Sequence, residues 1–344
     1  MKKTLLALAA IAASSAAFAQ SSVSLYGVVD ASLESVKGSD TVTRVSSDNL
    51  ASSRLGFKGT EDLGGGLKAN FVLETNVKMD TGANGGGATR FFDRAAWVGV
   101  SGGFGELRLG RQDTSLGLLA GNSSILGAQG YDDLKIAKTF SGDTYRRTDN
   151  AIAYMLPKLV DGLSAQVQYS TAAGTSTAVG TEDADKLGSH YGLNVQYAVT
   201  NGFSAGLGYI HAKRTNTVDD TGLLAYVGYD FGMAKLTGYV EQDKRDGMAE
   251  KRQVLGARLD VPVGKDFKLQ ASVAQVKDQE MTANNKDKAT ILALKGIYSL
   301  SKRTALYALF TNVKNDDQVG LNVGQAVADG KTARGLAIGL SHKF

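Results

Sequence analysis

The sequence has no cysteine, two prolines, three histidines and a single tryptophan in 344 residues. Without cysteine there is no disulfide framework, no thiol nucleophile and no thiolate metal site. The histidines, His190, His211 and His342, are far apart and lack metal-ligand spacing, so no metal and no other cofactor is expected. No apolar run reaches the roughly 20 residues that a membrane-spanning helix needs. A strong charge of one sign is lacking too: 38 basic against 34 acidic side chains leave +4, too little to imply nucleic acid as a partner. Scarce proline leaves long strands uninterrupted, and the 42 glycines suit tight turns between them.

The start of the chain speaks to the compartment. Lys2 and Lys3 precede a short apolar stretch, Leu5 to Ala13, and small residues ending in Ala17-Phe18-Ala19. A basic segment, a short apolar segment and an A-x-A site are the layout of a secretory signal peptide. Residues 1–19 are expected to be cleaved, leaving a single domain over 20–344 with a formal charge of about +2.

Beyond residue 20 the organising feature is period-2 alternation. Leu67, Ala69, Phe71, Leu73 and Val77 alternate with Lys68, Asn70, Glu74 and Asn76; Tyr191, Leu193, Val195 and Tyr197 alternate with His190, Gly192, Asn194 and Gln196. A helix would place apolar residues at i, i+3, i+4 and i+7, which these segments do not. Short glycine- or aspartate-bearing turns (Asp62 to Gly65, Gly102 to Gly105, Asp161-Gly162, Asn201-Gly202, Phe231-Gly232, Gly264 to Asp266, Ser301-Lys302) take turns with long polar connections. The long ones fall near 37–50, 80–89, 114–146, 173–186, 214–220, 244–250, 278–288 and 315–331. Seven turns and eight loops predict sixteen strands.

An even number of strands with short turns on one rim and long loops on the other is the pattern of transmembrane β-barrels. Closure removes sheet edges, whose unpaired N–H and C=O groups would each cost several kcal/mol in lipid. A barrel of sixteen strands is too wide for side chains to fill, so it encloses water. The 25 tyrosines and phenylalanines could form its interfacial girdles. A soluble β-sandwich or propeller is the competing reading; it requires one dry face, whereas one face of many strands here is polar or small.

The final strand is an independent sign. Leu336, Ile338, Leu340, His342 and Phe344 alternate with Ala337, Gly339, Ser341 and Lys343, ending on an aromatic carboxyl terminus. Three further segments, Ser22 to Asp30, Ser53 to Gly64, and Arg94 to Val100 with Gly105 to Arg111, resemble the general diffusion porins of Gram-negative bacteria, especially those of β-proteobacteria. Ser22-Val23-Ser24-Leu25-Tyr26-Gly27-Val28-Val29-Asp30 is similar to the family's first strand, and Ser53 to Gly64 to its second strand and first turn. Arg94 to Val100, with Gly105 to Arg111, resembles its fourth and fifth strands.

The resemblance implies an outer-membrane homotrimer, with the third long loop (about 114–146) folded inward to narrow each channel. Expected partners are outer-membrane lipid and lipopolysaccharide, small polar solutes and ions, and the barrel-assembly machinery reading Phe344. In the family, basic wall residues face acids on the inward loop, which focuses a field across the narrow passage. Arg54, on the face opposite Leu55 and Phe57, fits that wall. So do Arg94, placed by register with Ala96 and Val98 opposite Trp97, and Arg147, with Arg146 a close rival. The acidic candidates are Asp132 and Asp133, then Asp113 and Asp143. The Pro-Glu-Phe-Gly type of loop motif found in enterobacterial relatives is absent. Arg111 has lipid-side parity, costly for a bare cation at mid-membrane, and is expected at the trimer interface beside a neighbour's second loop.

The expected function is therefore passive diffusion of ions and small hydrophilic solutes with a weak anion preference, and not catalysis. Glu34, Glu74 and Asp30 on the lumen parity pull the other way. A substrate-specific channel would instead carry Tyr131, Phe140 and Tyr145 into the lumen as an aromatic track; a plugged barrel would conduct almost nothing. Apolar residues on both faces leave the strand parity of 288–313 open.

Overall fold

The computed structural model describes residues 22–85, 90–122, 131–171, 187–200, 202–283 and 287–344. The expected signal peptide, the loop glycines Gly127 and Gly130 and the whole of the 173–186 loop lie outside them. Seventeen strands follow in order: β1 (Ser22–Lys37), β2 (Thr41–Ser47), β3 (Arg54–Gly64), β4 (Leu67–Asn76), β5 (Ala95–Gly102), β6 (Gly105–Asp113), β7 (Arg147–Met155), β8 (Leu163–Ser170) and β9 (His190–Ala198). Then come β10 (Phe203–Lys213), β11 (Asp219–Asp230), β12 (Lys235–Arg245), β13 (Arg252–Val263), β14 (Phe267–Lys277), β15 (Lys288–Ser299), β16 (Thr304–Asn315) and β17 (Ala333–Lys343).

These seventeen stretches occupy sixteen barrel positions. β2 pairs with the upper half of β1 and β3 with its lower half, so the two are one strand interrupted at residues 48–53. The expected first loop over 37–50 is thus mostly strand: a tight turn at Gly38 to Asp40 reverses the chain. Asp30 explains the interruption. Its carboxylate accepts from the backbone N–H groups of Asn49, Leu50 and Ala51 and from the Tyr307 hydroxyl, which draws the chain inward at that level.

Every pairing is antiparallel, and β1 against β17 closes the barrel. At the seam the Gly27 N–H donates to the Phe344 carbonyl at 3.2 Å and the Phe344 N–H returns to Gly27 at 3.1 Å. The Phe344 ring occupies the space that a side chain on Gly27 would need. Strand glycine recurs beneath rings elsewhere: Tyr26 lies over Gly56 and Tyr239 over Gly256.

Alternation separates the faces. On β17, Leu336, Ile338 and Leu340 point outward and are exposed, while Ala333 and Ala337 are buried inside. Parity is settled on β15: Leu292 and Leu294 face out, and Ala289, Ile291 and Ala293 face in. The inner face there is apolar because Val319, Leu321 and Val323, from the connection before β17, fold over it into one buried cluster with Ile291, Val313 and Met281.

Candidate functional site

The third long connection runs inside the barrel. Its helix, Ser115–Asn122, presses Leu116 and Leu119 against the inner wall of β10 and β11. Glycines make the room: an added Cβ on Gly206 or Gly208 would come within 2.8 Å of Leu119, and one on Gly222 within 2.9 Å of Leu116. A short helix, Asp133–Ile136, and a π-helical turn, Phe140–Thr144, complete the described part of the loop.

Buried carboxylates latch the loop to the wall. Glu241 accepts from the Ser141 N–H at 2.8 Å and the Ser141 hydroxyl at 2.5 Å, and Asp243 from the Phe140 N–H at 3.0 Å. Tyr145 donates to Asp220 at 2.9 Å and Tyr131 to Glu34 at 3.1 Å. Glu34, Asp220, Glu241 and Asp243 are all essentially inaccessible. The expectation that Glu34 and Asp30 offer negative charge to the lumen therefore fails, because both are consumed in these internal bonds. Tyr131, Phe140 and Tyr145 are likewise buried; they anchor the loop and do not line an aromatic track.

Four of the expected basic residues converge on one side of the lumen. Arg94 Nε lies 2.6 Å from Glu74 and Arg54 Nε 3.7 Å from it. Arg147 Nε lies 3.1 Å from Asp113 and Arg146 Nη2 3.4 Å from it. Four guanidiniums share two carboxylates, leaving a positive surplus. A recess of about 110 Å³ among Glu74, Arg94, Trp97, Arg108, Asp113 and Arg147 marks the cluster.

The register argument for Arg94 needs correction. Val98 is 56% exposed on the outside, and Trp97 faces the lumen, where the Arg108 guanidinium stacks 4.2 Å from its ring centre. Arg94 precedes β5 and so escapes the strand's parity; its N–H bonds the Glu74 carbonyl and its side chain turns inward. Glu74, whose carboxylate also accepts from Tyr26 at 2.8 Å, is the acid that sequence reasoning leaves out of the cluster. Its inward parity on β4 is the available signal. Trp97 escapes the sequence reading because it exchanges the faces of β5; Arg108, on the inward parity of β6, is passed over by it.

The loop acids are placed differently from expectation. Asp133 accepts from Tyr239 at 2.6 Å and from Ser272 at 3.0 Å, which ties it to the far wall. Burial, reinforced by the adjacent Asp132, raises its pKa against those hydrogen bonds. Asp143 pairs with Lys135 at 2.6 Å and borders the vestibule at the long-loop end. Asp113 belongs to the arginine cluster itself. Asp132, bonded to Lys295, is the loop acid that borders the same passage as Arg54.

That passage is a cavity of about 530 Å³ continuing toward the short-turn rim. Arg54, Arg258, Lys268, Lys295, Arg303 and Lys343 line it, with Asp132 the only acid among its lining residues. Arg258 faces the lumen, as its parity requires, 3.2 Å from Asp260.

Arg111 lies outside the lumen, beside Ala96 on the outer parity. It is buried by its own chain: Nη1 is 2.5 Å from Asp149, which also binds Arg90 at 2.5 Å, and Nε donates to the Asp93 carbonyl. A register shift opposite Asn150, a non-glycine residue with φ of 50°, brings Asp149 to this face.

Comparison with known proteins adds to this geometry. The profile of the Gram-negative porin family matches residues 5–318. This chain belongs to that family. Outer membrane porin protein 32 of Delftia acidovorans is 35% identical over 380 residues, covering all of both chains. An outer membrane porin protein of Bordetella pertussis is 28% identical, again over the whole of both. Among solved structures, an anion-selective porin from Comamonas acidovorans superposes with a TM-score of 0.78 at 29% identity, covering 94% of this chain and 100% of that one. The trimer form of OmpT from Vibrio cholerae, at 16% identity and a TM-score of 0.66, shares the fold. The porin described here is thus an outer-membrane channel for passive diffusion of ions and small hydrophilic solutes.

Proposed function

We propose that this porin is a homotrimer whose pores prefer anions, with Arg54, Arg94 and Arg147, supported by Arg146, as the charged wall of the constriction. One observation carries the reading: most of the lumen's carboxylates are buried in latches or arginine pairs, while the passage below keeps Lys268, Lys302, Arg303 and Lys343 exposed. Low-dielectric walls focus that surplus onto the ion path. The likeness to a porin described as anion-selective supports the same sign. Asp132 is the acid facing the wall, and its bond to Lys295 limits the opposing field. In this reading Arg111, its charge already met by Asp149, holds the outer face of β6 at the contact between protomers. Residues 1–19 serve as the export signal, and the strand ending in Phe344 is read during assembly.

Planar-bilayer recording under a salt gradient tests this. Stepwise openings in threes, with a reversal potential displaced toward the anion equilibrium potential, are expected. A displacement toward the cation, or no conductance from folded protein, would overturn it.

A further inference from the structure

On the short-turn side of the arginine cluster, the lumen wall sets an apolar patch beside a cation. Three neighbouring strands place Lys58, Val72 and Trp97 at one level. Lys58 on β3 is directly opposite Val72 on β4, and Val72 is directly opposite Trp97 on β5. At the usual strand spacing, the backbones of Lys58 and Trp97 are about 10 Å apart, with Val72 between them. Glu74, which holds Arg54 and Arg94, lies two residues along β4 on the same face. The row therefore comes about 7 Å after the arginine cluster along the wall.

Glycines build the aromatic end of the row. Gly110 stands directly opposite Trp97 on β6, and Gly99 on β5 directly opposite Arg108. With no side chain at either position, the indole and the guanidinium meet on the diagonal, 4.2 Å from the ring centre. Arg108 also pairs with Glu106 at 2.6 Å, so its charge is met and the stack offers a flat surface more than a free cation. Lys58 differs. It is exposed, its ammonium stands 5.3 Å from the centre of the Tyr26 ring, and among the described residues no carboxylate pairs with it. Lys58, Val72, Trp97 and Arg108 line one recess of about 470 Å³, room for a single ring with its substituents. Trp97 and Arg108 border the arginine recess as well, so the stack adjoins both.

From this placement we infer that the lower recess is a binding station for small aromatic carboxylates crossing the pore. The ring of such a solute lies over Val72 against the Trp97–Arg108 stack, and its carboxylate accepts from Lys58. The flexible four-carbon stem of lysine lets the ammonium reach back along the row to a solute as short as benzoate. Chloride and acetate gain only the cation, and a neutral aromatic gains only the ring, so neither is held by both ends. The inference rests on the anion-preferring reading of the pore for the solute's approach and adds a preference among anions.

Planar-bilayer recording of the purified porin in potassium chloride, with benzoate, cyclohexanecarboxylate, acetate or benzamide added, tests it. The quantity read is the concentration giving half-maximal excess current noise. Benzoate should act at a concentration about two- to tenfold below that of cyclohexanecarboxylate, which has the same charge and similar bulk but no π face. Acetate and benzamide should give no saturable effect. The emission of Trp97, the only tryptophan in the chain, should change saturably with benzoate at the same concentration. Trp97→Leu should abolish the difference between benzoate and cyclohexanecarboxylate, Trp97→Phe should keep part of it, and Lys58→Gln should weaken both carboxylates alike. Equal action of the two carboxylates on the wild type, a benzoate preference that survives in Trp97→Leu, or benzamide as effective as benzoate overturns the station. Should Trp97→Leu not fold, Val72→Thr, of nearly the same shape but polar, should narrow the same difference, and an unchanged difference overturns the station equally. Because the two carboxylates carry equal charge, their ratio does not depend on the sign of the lumen. A reversal potential directed toward the cation with the benzoate preference intact would overturn the pore's anion preference and leave the station standing.

Discussion

Replacing Arg54 by glutamine should shrink the anion preference without disturbing the fold. Arg54 is suited to the test because its side chain is 29% accessible and lies 3.7 Å from Glu74. Glu74 stays bonded to Arg94 at 2.6 Å and to Tyr26 at 2.8 Å once Arg54 is gone. An ion passing about 5 Å from a unit charge in a water-like dielectric gains or loses about 0.8 kcal/mol. Screening with a Debye length of about 10 Å at 0.1 M salt leaves about 0.5 kcal/mol of that. With about 1.4 kcal/mol per tenfold, the anion becomes about twofold less favoured and the cation about twofold more. The permeability ratio should therefore fall about fivefold at 0.1 M salt, and by less than about twofold at 1 M, where the Debye length is about 3 Å. Reversal potentials measured under a constant salt ratio at both ionic strengths give these numbers directly. An unchanged ratio at low salt would show that Arg54 is not at the narrow passage. A change that persists undiminished at 1 M would show that it acts by altering the pore's shape.

Much of the fold can be read from the chain because a barrel imposes one rule on every strand. The period-2 pattern, the alternation of short and long connections and the apolar set ending in Phe344 each follow from a wall with lipid outside and water inside. The rule breaks where something other than water fills the inside. On β15 both faces are apolar because the inner one is covered by Val319, Leu321 and Val323, a contact across about thirty residues that no local pattern announces. The break at 48–53 is equally hidden, since it depends on Asp30 gathering three backbone N–H groups and on Tyr307 arriving from the far end of the chain. Glycine reads as turn punctuation in the sequence, yet Gly206, Gly208 and Gly222 are strand residues hollowed out for the loop helix.

For the constriction, residue types are easier to foresee than pairings. Arginine flanking the long loop is a sound sign, and Arg54, Arg94, Arg146 and Arg147 do come together. Which carboxylate meets them depends on loop geometry. Asp133 and Asp143 share a loop with Asp132 but point to Tyr239 and Lys135. Parity also misleads at strand ends: Arg94 lies one residue before β5, and Asn150 adds a residue to β7. The sign of the lumen follows from burial more than from counting. Acids and bases are nearly balanced over the chain, but a carboxylate that accepts from backbone N–H groups on the inward loop is withdrawn from the ion path. Latching the loop and biasing the pore toward anions are thus one arrangement, because the acids that hold the loop are those the passage lacks.

The latch predicts that Glu241→Ala, which removes both bonds from Ser141, each worth about 1 kcal/mol, will make single-channel currents noisy. The melting temperature should stay close to wild type, since the barrel's own ladder is untouched; a quiet wild-type trace would refute the latch. Arg111→Ala breaks a buried pair with Asp149 and should cost about 3 kcal/mol, read as a lower temperature at which the porin dissociates and unfolds on a denaturing gel. An unshifted transition would mean that Arg90 alone satisfies Asp149. The sole tryptophan offers the sharpest check on which face looks inward. If Trp97 stands in the lumen against Arg108, its fluorescence in reconstituted porin should be quenched by iodide well beyond caesium, because a positive lumen concentrates the anion and excludes the cation. Raising an inert salt to 1 M should bring the two quenchers together, since about 3 Å of screening length erases the field. Brominated lipid chains should quench it little, because the barrel wall lies between ring and bilayer. Strong quenching by brominated lipid with none by iodide would return Trp97 to the lipid side, and with it the exchanged faces of β5. Equal quenching by iodide and caesium at low salt would leave the ring in the lumen but remove the positive field on which the anion preference depends.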